Sequence, residues 1–343
     1  MNQTSDGVQF AEVGRALLPD KRRPGVAVLH PGLRNCTTTQ SRRTFLKTSC
    51  AIVTGSSLVA RAVADDTKKS ESQSPLAGEV GIVSASCHAQ FMGRSKNGKF
   101  SLLELPRLLR DEVGIRVIDL NTTSFAAVDK TYLDRLRDAS DKAGCVMTNL
   151  KMNQRGIDMN SPDRQTREKA LAEYKRSIDV AAHLGLNWAR PLPRPEKPDM
   201  AIHVASYREL CDYGAERNVQ LLVENFGWMQ SDPDSVVNLV KAIGHNVAAC
   251  PDTGNWASNE IRYSGLAKTF PLAVTCDYKA RTLGPDGGHE QYDLKRCFTI
   301  GWKAGFRGPW CLEHGNQDTK QMLRELVMLR EMIQRWTAEL QED

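Results

Sequence analysis

From Val80 onward, short apolar runs alternate with segments of helical periodicity, and this alternation constrains the fold more than any other feature. Apolar residues three and four apart, such as Leu102, Leu105 and Leu109, predict amphipathic helices, and glycines such as Gly144 predict helix ends. The short apolar runs predict strands over 80–85, 115–120, 145–150, 186–190, 219–224, 247–252, 272–279 and 309–313.

Eight strand–helix units in about 260 residues predict an α/β fold, a (β/α)8 barrel. A doubly wound sheet is the alternative, but it would carry a glycine-rich phosphate loop after an early strand, and no such motif occurs. We assign the barrel to residues 79–343, a polar linker to 65–78, and an N-terminal extension with a signal peptide to 1–64.

The basic charge of the chain is concentrated in this extension. The formal net charge is +5, but residues 1–64 hold nine Lys or Arg and three Asp or Glu, which leaves 37 basic and 38 acidic residues in the rest. A body of net charge −1 argues against a nucleic-acid partner. No apolar run reaches the roughly 18 residues that a membrane anchor needs.

The extension resembles a twin-arginine signal peptide. Arg42 and Arg43 precede a mildly apolar stretch, and Ala62-Val63-Ala64 has the small residues that a signal peptidase requires. We expect cleavage after Ala64, with the twin-arginine translocase as a transient partner and the periplasm as the destination. A chance arginine pair is the alternative, and the true translation start is left open.

Seven cysteines follow the extension, an odd number without any C-x-x-C pair. They are Cys87, Cys145, Cys211, Cys250, Cys276, Cys297 and Cys311. Buried free thiols are therefore expected rather than a disulfide framework.

Four consecutive predicted strands end in acids, namely Glu224, Asp252, Asp277 and Glu313. The C-terminal strand ends of a barrel share one face, so these carboxylates should converge. Converging carboxylates repel one another and lose solvation without a cation. A divalent ion would resolve this, and oxygen ligands suit Mg²⁺ or Mn²⁺.

These segments resemble the xylose-isomerase-like TIM-barrel superfamily, which includes sugar isomerases and epimerases, over roughly Val80 to Glu339. The resemblance implies a metal site of Glu, Asp, His and Glu from the last four strands, matched by Glu224, Asp252 and Glu313. The position of the family's histidine is occupied by Asp277, so the fourth ligand is either Asp277 or His289.

The resemblance also implies the chemistry: proton transfer through an enediolate in a sugar or keto-sugar, which would make the protein an isomerase. The export signal argues for an unphosphorylated substrate, because sugar phosphates stay in the cytoplasm. Glu224 and Glu313 would be the acid–base pair, and Lys279 would stabilise the enediolate oxygen or pair with the acids. Candidate substrate-binding residues are His88, Lys151, Arg190, Trp228, Asn255 and Trp256, although ordinary packing would equally explain the two tryptophans.

Two other functions remain open. A barrel that binds carbohydrate without catalysis is favoured by Asp277 at the histidine position. An endonuclease-IV-like metal hydrolase is less favoured, because it needs a basic groove and several histidine ligands. The particular substrate, the native metal and the oligomeric state do not follow from the sequence, and an oligomer is possible.

Overall fold

The computed structural model describes residues 76–281 and 283–342, so the signal peptide, its cleavage site and most of the linker lie outside the described residues. Eight parallel strands form the predicted barrel, with helices packed around it. The strands are β1 Val80–Val83, β2 Val117–Asn121, β3 Val146–Met152, β4 Trp188–Pro191, β5 Gln220–Val223, β6 Val247–Ala249, β7 Cys276–Lys279 and β8 Trp310–Glu313.

The barrel closes between β6 and β7 through isolated contacts rather than a regular ladder. Parallel bridges join Ala249 to Ala273 and Asp252 to Asp277, and the Asp277 amide donates to the Pro251 carbonyl at 2.9 Å. The other strands are hydrogen-bonded in the order β6-β5-β4-β3-β2-β1-β8-β7. Closure brings the acids at the ends of β6 and β7 side by side.

Eight α-helices surround the barrel in the described part of the chain. They are α1 Leu105–Leu108, α2 Lys130–Ala143, α3 Arg164–His183, α4 Met200–Ala215, α5 Ser235–Ile243, α6 Asn259–Thr269, α7 Leu294–Lys303 and α8 Thr319–Glu342. Side chains cap several of them; Asp129, for example, accepts from the Tyr132 amide at the start of α2. Gly144 ends α2 with a φ of 64°, the left-handed conformation that favours glycine.

Apolar periodicity in the sequence does not predict one helix, α6. Its buried face consists of Arg262, Gly265, Leu266 and Thr269, which includes one large apolar residue. Gly265 is required there because a Cβ would lie 2.4 Å from the Trp256 ring. A helix that packs through a glycine and polar side chains has no strong apolar periodicity to detect.

The core has an outer layer between barrel and helices and smaller clusters inside the barrel. The seven cysteines of the described part are buried and free, as expected. No described helix is both long and apolar enough to cross a membrane.

Candidate active site

The alternation of side chains along each strand brings the charged residues to one place. On β7, Cys276 and Tyr278 pack in the outer core, so Asp277 and Lys279 point to the barrel axis. On β8, Cys311 belongs to an inner cluster, and Glu313, two residues later, points the same way. The same rule places Lys151, Arg190, Glu224 and Asp252 at the C-terminal mouth.

Each of the four acids is paired with a cationic side chain of the chain itself. The pairs are Lys151 with Asp277, Arg190 with Glu224, Lys279 with Asp252, and Arg281 with Glu313. The N–O distance is 2.7 Å in each of the last three pairs, and the formal charges of the eight groups cancel. The protein thus supplies four cations to these acids, and a divalent ion at the site stays a prediction.

Lys279 and Asn255 link the pairs into one network. The Lys279 ammonium lies 2.7 Å from Asp252, 3.3 Å from Glu313 and 2.8 Å from the Asn255 amide oxygen. The Asn255 amide nitrogen donates to Glu224 at 3.0 Å and to Asp252 at 2.8 Å. The side chain of Asn255, a predicted substrate ligand, thus forms hydrogen bonds with Glu224, Asp252 and Lys279.

The loop after β6 is shaped to allow this contact. Asp252 accepts from the Gly254 and Asn255 amides at 2.6 and 2.9 Å, and Asn225 bonds the backbone of both Asp252 and Asn255. A Cβ at Gly254 would lie 2.6 Å from the Lys279 side chain. A glycine at position 254 is therefore needed for the close approach of Lys279 to this loop.

Three of the acids form a group that can hold a metal ion. One oxygen each of Glu224, Asp252 and Asp277 lie within 4.8 Å of one another, and all three residues are buried. Oxygen donors at this spacing fit Mg²⁺ or Mn²⁺, although an ion would share the carboxylates with Lys151, Arg190 and Lys279. Within the described residues, this group includes neither Glu313 nor His289.

His289, the alternative fourth ligand, lies in the β7–α7 loop. Its ring packs on Tyr292 with 4.1 Å between ring centres. The Tyr292 hydroxyl in turn donates to the Lys279 carbonyl at 2.5 Å. The choice between Asp277 and His289 as a ligand stays a prediction, and the metal group favours Asp277.

The acids differ in how readily they ionise. Burial raises the pKa of Asp252 to about 6 and also raises the pKa of Asp277. Burial acts in the same direction on Glu313, but Lys279 and Arg281 outweigh it and lower this pKa to about 2. Glu313 is thus ionised at neutral pH.

A cavity of about 500 Å³ opens beside Glu313 at the ends of β1, β7 and β8. His88, Arg281 and His314 also line it. The Glu313 side chain is 20% exposed, whereas that of Glu224 is 4% exposed and does not line this cavity. The two acids predicted to share the proton transfer therefore differ in access.

Of the predicted substrate-binding residues, only His88 lines this cavity. Lys151 and Arg190 are buried in their ion pairs. Trp256 is buried against Gly265, and Trp228 packs edge-on against His203 at 6.2 Å. Substrate contact by these residues stays a prediction.

Sequence reasoning missed two charged or titratable residues that line the cavity, Arg281 and His314. Arg281, two residues after Lys279, follows the strand alternation and could have been found by it. His314 follows Glu313, and its two ring nitrogens contact the Ala280 carbonyl and Glu325 of α8. No local signal connects His314 with Glu325, because the contact depends on how α8 packs.

Comparison with known proteins supports this architecture. A sequence model described as the xylose isomerase-like TIM barrel matches residues 109–332. Comparison with curated proteins gives no match. Several solved structures share the fold, and their sequence identities of 20% or less carry information on the fold alone.

D-psicose 3-epimerase from Clostridium cellulolyticum H10, solved with D-tagatose, is 14% identical with a TM-score of 0.61, and the match covers 75% of this chain and 98% of that one. A xylose isomerase-like TIM barrel protein from Mycobacterium smegmatis, in complex with magnesium, is 20% identical with a TM-score of 0.55 and coverages of 75% and 96%. D-allulose 3-epimerase from Methylomonas sp. is 13% identical with a TM-score of 0.58 and coverages of 76% and 99%.

Proposed function

The chain belongs to the xylose isomerase-like TIM barrel family, and on that premise we propose that it isomerises or epimerises an unphosphorylated sugar or keto-sugar. The reaction would move a proton bound to the carbon next to a carbonyl group. The observation that carries the proposal is that the Glu313 carboxylate reaches an open cavity and lies 3.3 Å from the Lys279 ammonium.

Glu313 is the proposed base in this reaction. Its low pKa keeps it ionised, and its exposed fraction lets it meet a bound substrate. Lys279 is the proposed partner for the enediolate oxygen, because a fixed positive charge stabilises negative charge that develops in the transition state. Arg281 contacts the same Glu313 oxygen as Lys279, at 2.7 Å, and would limit its movement.

We also propose that Glu224, Asp252 and Asp277 hold one Mg²⁺ or Mn²⁺ ion, supported by their donor type and spacing. When bound, such an ion would add Lewis-acid stabilisation of a substrate oxygen. Glu224 would serve chiefly as a ligand, since Arg190 and Asn255 already bind its two oxygens.

The side-chain cations predict an unusual response of metal affinity to mutation. Lys279→Met is expected to tighten Mn²⁺ binding by about 10- to 100-fold, because it removes a competing positive charge. Glu224→Gln and Asp252→Asn are expected to lose the ion. Titration calorimetry of each variant measures these changes.

Lys268→Met is the matched control, since Lys268 pairs with Asp234 on the outer surface and should not affect the ion. Unchanged affinity in Lys279→Met, or retained metal in Asp252→Asn, would contradict the assignment. Loss of metal in His289→Ala but not in Asp277→Asn would make the histidine a ligand.

A panel of free sugars incubated with the protein in D₂O tests the proposed reaction without a guess of the product. Incorporation of deuterium at a carbon next to a carbonyl is expected for at least one sugar. Binding of sugars without exchange would favour the second candidate, a non-catalytic carbohydrate-binding barrel. The ion pairs support that candidate to the extent that each of the four acids has a cationic partner within the chain.

We further propose that the protein is exported to the periplasm by the twin-arginine route, which fits an unphosphorylated substrate. Support comes from Arg42-Arg43 and from Ala62-Val63-Ala64, both outside the described residues. Changing both arginines to lysine is expected to abolish export. N-terminal sequencing of the exported wild type should begin at Asp65 or within a few residues of it; a retained leader would refute the cleavage site.

A further inference from the structure

A second titratable group faces the cavity beside Glu313. His88 follows β1, the neighbour of β8, and it lines the same cavity as Glu313 and Arg281. Glu224 is the acid expected to act with Glu313. It is paired with Arg190 and does not line this cavity. His88 is therefore placed for a role in proton transfer that Glu224 does not have access to perform.

The hydrogen bonds around His88 determine which of its ring nitrogens carries the proton. Nε2 contacts the hydroxyls of Thr123 and Ser124, each at 3.1 Å. The Asn121 side-chain oxygen accepts from the Thr123 amide at 3.0 Å, which identifies this atom as the oxygen, and it also accepts from the Thr123 hydroxyl at 2.6 Å. The only proton of that hydroxyl is thus committed to Asn121.

Since the Thr123 hydroxyl has no second proton to donate, its oxygen must accept from His88, and Nε2 must carry a hydrogen. Ser124 is compatible with this arrangement, because its hydroxyl also contacts Ser84 at 2.9 Å and can donate there. Within residues 76–281 and 283–342, Nδ1 of His88 makes no hydrogen bond and is not fully buried.

Burial, together with the charge of Arg94, keeps the His88 ring neutral. Burial and the positive charge of Arg94 lower the pKa of His88 to about 4, while Glu313 acts in the opposite direction. At neutral pH the ring therefore has a proton on Nε2 and a free lone pair on Nδ1.

We propose that His88 carries a hydroxyl proton between two adjacent substrate oxygens and that the reaction is therefore an aldose–ketose isomerisation rather than an epimerisation. This inference rests on the proposed function and specifies its reaction. It assigns Glu313 to the carbon-bound proton and His88 to the oxygen-bound proton.

The step balances with these two groups in their resting states. The Glu313 carboxylate takes the proton from the hydroxyl-bearing carbon, and the C–H electron pair forms a carbon–carbon double bond while the carbonyl electrons move to its oxygen. Nδ1 takes the hydroxyl proton from one oxygen and returns it to the other. Glu313 then delivers its proton to the former carbonyl carbon, and both residues regain their original states.

Epimerisation fits these protonation states less well. It removes a proton from one face of a carbon and returns another from the opposite face, which requires a second group that is protonated at the start. Glu313 is ionised, and Nδ1 of His88, a residue that lines the cavity, has a free lone pair. Among the other groups near Glu313, the Lys279 ammonium does not line the cavity and is engaged by Asp252 and Asn255. Arg281 does not release its proton, and both nitrogens of His314 are engaged by Ala280 and Glu325.

Nitrogen NMR of the full chain labelled with ¹⁵N-histidine tests the state of His88 without reference to activity. His88→Asn identifies its signals among the seven histidines. We expect a protonated Nε2 and an unprotonated Nδ1 from pH 8 down to about pH 5, one unit above its pKa of about 4. A protonated Nδ1 at neutral pH would overturn the proposal.

The matched pair Thr123→Val and Thr123→Ser tests whether the Thr123 hydroxyl selects the tautomer of His88. Valine removes the acceptor at similar volume, so Ser124 can donate to Nε2 and the proton should shift toward Nδ1. Serine keeps the hydroxyl and should retain the wild-type spectrum. Identical spectra for both variants would show that Thr123 does not select the tautomer.

The fate of a label at the reacting carbon tests the reaction. With a substrate deuterated there, isomerisation through one carboxylate should carry part of the label to the neighbouring carbon. His88→Asn should lower kcat by about 100-fold with little change in KM. An epimer formed with complete loss of label would overturn the isomerisation. Failure of every sugar to exchange would overturn it together with the proposed function, while the NMR result would still decide the state of His88.

Discussion

Lys151→Met is expected to lower the free energy of unfolding by about 3–5 kcal/mol, one of the largest effects of a single substitution in this protein. The side chains of Lys151 and Asp277 are 2% and 1% exposed, and the ammonium lies 2.6 Å from one carboxylate oxygen. Removal of the lysine leaves a buried carboxylate without its cation. Urea unfolding in the presence of EDTA measures the change without a contribution from bound metal.

Replacing both Lys151 and Asp277 shows whether the loss of stability comes from the buried, unpaired carboxylate. The double variant Lys151→Met with Asp277→Leu should recover most of the loss, because apolar residues of similar volume often replace a buried pair without cost. Lys130→Met is the control, since its pair with Asp134 is on the surface and the lysine side chain is 77% exposed. A Lys151→Met protein as stable as that control would show that the buried pair is not needed.

Glu313→Gln is expected to reduce proton exchange by about 100- to 10,000-fold, because an amide cannot accept the substrate proton. The substitution keeps the volume of the side chain and its place beside Lys279 and Arg281. Deuterium incorporation into the best substrate of the sugar panel gives the rate. Circular dichroism and thermal unfolding check that the variant remains folded.

Glu339→Gln changes the same type of residue on the outer face of α8, where Glu339 pairs with Lys295, and should leave exchange unchanged. Exchange at the wild-type rate in Glu313→Gln would exclude Glu313 as the base. A loss of exchange in Glu224→Gln alone would instead favour the acid that is paired with Arg190.

Strand order and the positions of the acids follow from local sequence. The period of two along a strand places Glu224, Asp252, Asp277 and Glu313 on the inner side as soon as the outward apolar residues are recognised. The parallel arrangement then brings their ends to one face. Both rules depend on neighbours in the chain, so a single sequence is sufficient to apply them.

The helix α6 shows where local rules fail. Its inward face contacts Trp256 through Gly265. The sequence of the helix does not predict this contact, because Trp256 lies in the preceding loop. The hydrogen bonds around His88 also join segments that are distant in the sequence. Asn121 ends β2 and Thr123 and Ser124 follow it, whereas His88 follows β1. The tautomer of His88 depends on the contact between these segments.

The sequence by itself determined the barrel, the inward direction of the four acids and the possibility of an oxygen-rich metal group. Only the tertiary structure decided that the chain neutralises these acids with its own cations. Lys151 and Asp277 are 126 residues apart, and they meet because β3 and β7 lie across the barrel from each other. That contact depends on strand stagger and barrel closure, which arise from the packing of all eight strands rather than from any local pattern.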